Sequence, residues 1–302
     1  MSVRPIRAVA LAALAAALVA PSASLAADPT EMTTDAAAAE WRSLSCPGNL
    51  AEVAVLDAVT AAGIAPGDPL TDELRAASAT WADRLAHAAV RLTWPAAPWP
   101  AAIRADVGRV AGLETLEAER VGALARAGSV WAEPLSADEV AFETAAVDRI
   151  RTALGLPLAS DCTDADAPPA VLSAEEAAAA WFDAICPLNA VGAAVADHAS
   201  SLPDPMAPDD LLRLHFARYA AASGRAADLL AHPLTPWPAE IADAIDRQIG
   251  FFVWQRSLYA QLALADVAIA PESGEESGRS RDAADAIRAA LGLGERGTGC
   301  PA

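Results

Sequence analysis

Apolar positions in this chain fall at helical spacing almost throughout, and no stretch alternates with the two-residue period of a half-buried strand. The first helical stretch runs from about Ala36 to Ala62, where Gly63 offers a stop. Pro47 lies inside it, so the pattern predicts either a kinked helix or a short helix to Cys46 followed by a second from Pro47. After Asp68-Pro69, a second stretch sets Leu74, Trp81, Leu85, Ala88 and Leu92 on one face. A third, opened by Pro100, carries Ile103, Val107, Val110, Val121 and Leu124. A fourth starts at the capping box Ser136-Ala-Asp-Glu139 and closes at Ala153-Leu-Gly155-Leu, with Gly155 as a left-handed stop.

The whole pattern then repeats. Trp41-Arg-Ser-Leu-Ser-Cys46-Pro47-Gly-Asn49 returns as Trp181-Phe-Asp-Ala-Ile-Cys186-Pro187-Leu-Asn189, and Asn49 and Asn189 are the chain's only asparagines. Ser173-Ala-Glu-Glu176 is the capping box that opens the second copy. Its second helix, starting near Pro208, lines up Leu212, Phe216, Tyr219, Ala226 and Leu230. Its third, after Pro238, carries Ile241, Ile245, Ile249, Phe252, Tyr259 and Leu262. The fourth closes at Ala290-Leu-Gly292-Leu, and Pro271 to Gly278 before it reads as a disordered loop. Residues 163–172 read as an acidic, proline-bearing linker. Short connections imply antiparallel neighbours. The expected fold is all-α, with two tandem up-down-up-down four-helix bundles at 36–162 and 173–302.

Four cysteines allow three pairings, and spacing alone does not choose among them. The repeat does. In such a bundle the end of the fourth helix lies beside the start of the first, which puts Cys162 near Cys46 and Cys300 near Cys186. Each bond would close a loop of more than a hundred residues. A thiolate metal site would need cysteines in close pairs, and none are close.

Disulfides fit an exported chain. Arg4 and Arg7, the apolar run Ala8 to Ala20 and Ser24-Leu25-Ala26 read as a signal peptide over 1–26, followed by a polar leader at 27–35. Beyond it no transmembrane segment is expected. All 21 basic residues are arginine, against 40 acids, for a net charge of −19. Cleavage after Ala26 would deepen that charge by removing two arginines. A chain so acidic is unsuited to nucleic acid or an anionic lipid surface.

Few residues of the chain are arranged as chemistry would need them. The histidines His87, His198, His215 and His232 have no counterparts between copies, and neither pair with metal spacing nor a nucleophile motif is present. The carboxylates read as scattered along helix faces, with Asp161, Asp164 and Asp166 in a solvated linker. No catalytic residue, metal or cofactor is expected. Trp41 and Trp181 read as core, and Asn49 and Asn189 as partners for the carbonyl that Pro47 and Pro187 leave free. Trp99 and Trp237, between prolines at a helix–helix turn, are the candidate contact residues, although plugging the end of each bundle is the stronger expectation.

The Trp-x4-Cys-Pro-x-Asn start, the proline-tryptophan turn and the Ala-Leu-Gly-Leu stop resemble those of uncharacterised exported helical proteins of high-GC Gram-positive bacteria. The resemblance implies secretion to the medium or cell wall and carries no catalytic residue. The expected function is a non-enzymatic binding module for a protein or cell-envelope polymer. The alternative is an extracellular carrier that holds an apolar small molecule between its helices.

Overall fold

The computed structural model describes residues 30–127, 134–204, 207–265, 274–294 and 300. The signal-peptide expectation for 1–26 lies outside them. Among the described residues are eight α-helices and no strand. The chain divides into two compact units, one within 27–170 together with 232–235, the other within 171–231 and from 236 onward.

In the first unit α1 is Thr34–Ala62, α2 Asp72–Thr93, α3 Ala101–Ala127 and α4 Ala137–Ala153. They pack in chain order, α1 on α2, α2 on α3 and α3 on α4. A 3-10 turn at Asp164–Asp166 then meets α1. In the second unit α5 is Ala174–Ser201, α6 Asp210–Ala231, α7 Ala239–Leu264 and α8 Gly274–Ala290, again packed in chain order.

The boundaries follow local chemistry. Thr33, Ser136 and Ser173 each accept a bond from a backbone N–H of the first turn, and at Ser136 and Ser173 a glutamate completes the capping box. Gly63, at φ 64°, turns left-handed so that its N–H and that of Ile64 close on the Thr60 and Val59 carbonyls. Gly155 and Gly292 adopt the same conformation after α4 and α8.

Pro47 breaks nothing: α1 runs through it, as α5 runs through Pro187. Proline removes one backbone bond. Burial of Trp41, Leu44 and Cys46 before it and Val55 after it holds both halves on one face, which outweighs that loss.

Two expectations need correction. The loop expected at 271–278 is helical from Gly274, with Glu276 in the first turn, where a carboxylate favours the helix dipole, and Arg279 3.9 Å from it. Residues 271–273 lie outside the described set. Also, α5 is long and apolar enough to cross a membrane by length and composition, with a mean hydropathy of 1.4 over its best window. Its alanine content produces that value. In this structure α5 packs on α6 and buries Trp181, Ala184 and Leu188.

The core stripe of α3 steps 4-3-4-3-4-3 through Ile103, Val107, Val110, Glu114, Glu117, Val121 and Leu124. That of α7 steps identically through Ile241, Ile245, Gln248, Phe252, Gln255, Tyr259 and Leu262. The apolar core of the first unit is correspondingly in two pieces. One gathers Trp41, Trp99, Ile103, Val110 and Ile150; the other gathers Val55, Leu74, Trp81, Leu85 and Val121.

Candidate functional site

Each matched motif sits where the first helix of a unit meets the segment after its fourth. Cys46 is bonded to Cys162 and Cys186 to Cys300. The Asn49 and Asn189 side-chain amides do not serve a freed carbonyl. Each points its Nδ2 at 3.9 Å from the sulfur of the closing cysteine, Cys162 or Cys300, a long contact that fills space more than it binds. Trp41 and Trp181 are both 2% exposed, and neither indole N–H has a hydrogen-bond partner.

The segment before Cys162 is held by charge, not solvated as expected. Asp161 accepts from Arg42 on α1 and, at 2.8 Å, from Arg151 on α4. Arg151 is 3% exposed and also donates to the Pro157 and Ala159 carbonyls. These partners, Arg151 first, hold the Asp161 carboxyl below its usual range. Asp166 bonds back to Thr163 and lies 3.6 Å from Arg42. In the second unit Phe182 stands at the position of Arg42, and the Arg288 guanidinium lies 5.8 Å from its ring centroid. The first copy closes with an ionic clasp, and in the second an aromatic ring takes the place of the Arg42 guanidinium.

The exposure considered for the proline-flanked tryptophans is not met at Trp99, which is 3% exposed; Trp237 is half-buried. Both indole N–H groups are used internally, donating at 3.0 Å to Leu92 and Leu230 at the ends of α2 and α6. Each satisfies a last-turn carbonyl and ties the turn to the helix it follows. His198 bonds Asp209 at 2.9 Å, and its ring lies 5.7 Å from that of buried His215. Burial, then the neighbouring His198, lowers the His215 pKa.

The expectation of scattered carboxylates fails at the middle of the first unit. Glu114 and Glu117 occupy two successive core positions of α3. Glu52 of α1 precedes buried Val55 by three residues, and Glu143 of α4 precedes buried Ala146 by three, so both fall on the inward side of their helices. Burial, then the charges of Glu143, Glu117 and Glu52, raises the Glu114 carboxyl well above its ordinary range. Burial, then Glu143 and Glu52, pushes Glu117 up to about 8, and burial followed by Glu52 raises Glu143. Glu117 is 9% exposed. Glu114 is half-buried as a residue, yet its Oε2 is closed to solvent and has no hydrogen-bond partner. Among the described residues no three or more His, Cys, Asp or Glu side chains are gathered closely enough to hold a metal ion. One signal for this layer was present in the sequence: two glutamates at core positions of a 4-3 stripe.

Comparison with known proteins finds no matching family model, no matching curated protein and no matching solved structure.

Proposed function

We propose that this chain is an exported pair of up-down-up-down four-helix bundles, each closed by one disulfide, that contacts a protein or a cell-envelope polymer without performing chemistry. The observation that carries the reading is the duplicated closure. Bonds Cys46–Cys162 and Cys186–Cys300 tie the first helix of each unit to its last segment in the same way. Such bonds persist in oxidising surroundings outside the cytosol. The apolar start of the sequence and its resemblance to exported helical proteins support the same placement.

Contact through outer faces accords with the side chains. Val53 and Leu56 stand exposed three residues apart on α1, and Leu211 and Leu214 do so on α6. These pairs are not at equivalent positions of the two copies. The copies therefore share a helical plan and differ in what they show to a partner, which favours two distinct contacts over repeated use of one.

The test uses the oxidised full-length chain recovered from its host's medium. Native mass spectrometry reads bound ligand, and cross-linking on whole cells followed by peptide mapping reads partners. Cross-links from α1 or α6 to a discrete envelope component support the proposal. A small molecule retained in the native spectrum, with no such cross-links, replaces it with the carrier of an apolar molecule.

A further inference from the structure

We infer that the first unit is an acid-favoured fold, held together at its middle by protons bound at Glu114 and Glu117, with Glu52 and Glu143 adding negative charge around them, and that the described residues of the second unit carry no such site. The inference stands apart from any binding partner and rests on the burial of Glu114 and Glu117 on the core stripe of α3.

The placement begins with the α3 stripe. Core positions that continue as Val110, Glu114, Glu117 and Val121 cannot turn the two glutamates outward without turning the valines with them. The apolar core is divided at this level into its two clusters. The Glu114 Oε2 is enclosed without a partner, and Glu117 is 9% exposed with only carboxylates among the charges that act on it. An enclosed carboxylate in that state is strongly disfavoured, and binding a proton relieves it.

No arginine is among the charges that act on Glu114 or Glu117, and several on α3 and α4 are held by other acids. On α3, Arg120 is bound to Glu139 at 2.8 Å and Arg109 to Asp106 at 2.5 Å; on α4, Arg149 also holds Asp106. The inward stripe of α2, Leu74, Ser78, Trp81, Leu85, Ala88 and Leu92, has no ionisable member. Arg91 on another face of α2 pairs with Glu40 of α1, and Arg84, whose Nη1 is enclosed without a hydrogen-bond partner, is not among the charges that act on either glutamate. What faces the layer from α1 and α4 is more negative charge, Glu52 and Glu143. The absence of a metal-like grouping among the described residues favours protons over a divalent cation.

The second unit supplies the control. Where the first has Glu52, Glu114, Glu117 and Glu143, it has Gly192, Phe252, Gln255 and Ser280. Gln255 donates to the Tyr219 hydroxyl at 3.0 Å, and Ser280 receives Gln248. The same scaffold thus accepts a neutral amide at the Glu117 position, so Glu117→Gln is expected to fold.

The raised carboxyls fix the direction. A carboxyl whose pKa is higher folded than unfolded binds more protons in the folded state, so its stabilisation is complete below the unfolded value and is lost as pH rises through the folded one. For Glu117 that window runs from its ordinary 4.5 to about 8.

The experiment follows denaturant unfolding of the oxidised full-length chain by hydrogen-exchange mass spectrometry, which resolves the two units, at pH 5.5 and pH 7.5. The unfolding constant of the first unit is expected to rise about 100-fold more in the wild type than in Glu117→Gln across that interval, one proton being worth about tenfold per pH unit. Exchange in the second unit should not distinguish the two proteins. Equal pH dependence in wild type and variant would overturn the inference. Carboxyl-carbon NMR of the wild type keeps the test independent of the variant: a glutamate titrating near pH 8 supports it, and all glutamates titrating below pH 5.5 refute it. Millimolar calcium or manganese restoring the wild type, and not Glu117→Gln, at high pH would also overturn it, replacing protons with a cation.

Discussion

Removing either disulfide should lower one unit selectively and by a large amount. The bond Cys46–Cys162 spans 116 residues of sequence and Cys186–Cys300 spans 114. Freeing a loop of that size returns conformational entropy to the unfolded chain worth about 4.8 kcal/mol at 25 °C in either unit. Units of this size shift by about 4 °C per kcal/mol, so each double alanine variant should move one calorimetric transition down by about 15–20 °C. The native states should respond differently. Without Cys46 and Cys162, Asp161 still binds Arg42 and Arg151, and the tail of the first unit keeps its place. Without Cys186 and Cys300, Arg288 still donates to the Gly294 carbonyl at 2.8 Å and rests near the Phe182 ring, with no counterpart of Arg42 on the first helix to hold the tail. Hydrogen exchange should therefore show residues 157–162 protected in the first variant, and faster exchange at residues 291–294 in the second. A shift below about 3 °C would refute the entropic argument. Equal movement of both transitions in either variant would refute the independence of the two units.

Three smaller perturbations read other parts of the fold. Trp99→Phe removes the indole bond to the Leu92 carbonyl and should cost the first unit about 1–2 kcal/mol in urea unfolding; Trp237→Phe, at a half-buried site, should cost less. Asp161→Asn leaves the Arg151 guanidinium its two carbonyls and takes away its counter-charge, so the first unit should unfold at lower urea, by less than after Trp99→Phe because Asp161 is partly exposed. On the acid side, hydrogen bonds from Arg149 and Arg109 lower the Asp106 pKa to about 2. Its contribution is present above the ordinary 3.8 and lost as pH falls through about 2, so Asp106→Asn should flatten the acid limb of a stability–pH curve and leave the limb above pH 5 unchanged.

Much of the helical framework was legible because its signals are local. A capping serine with glutamate three residues on, a glycine that must turn left-handed, and apolar side chains three and four apart are each decided within one or two turns. Pro47 misled only in part, since a helix break is a local expectation and burial on both sides decided the outcome. Trp99 could not be placed from neighbours in sequence. Flanking prolines suggest an exposed turn, whereas its indole folds back seven residues to a helix end. Asp161 is similar, since its arginines lie 119 residues before it and 10 before it.

The carboxylate layer shows where local reading stops. Counted by hydropathy, Glu114 and Glu117 are gaps in an apolar stripe, and gaps read as solvent. Counted by position, they continue a 4-3 step whose neighbours on both sides are buried, and the helix has no rotation that exposes one set without the other. The two readings separate only when the stripe is laid beside its copy, where Phe252 and Gln255 occupy the same steps. A phenylalanine 6% exposed in one unit marks the matching position in the other as interior, whatever residue fills it. Duplication thus supplies the comparison needed: two sequences on one helical plan, one closing its middle with aromatics and amides, the other with acids that need protons to stay there. The difference is large enough in charge to make the first half respond to pH where the second does not, which no pattern of apolar spacing encodes.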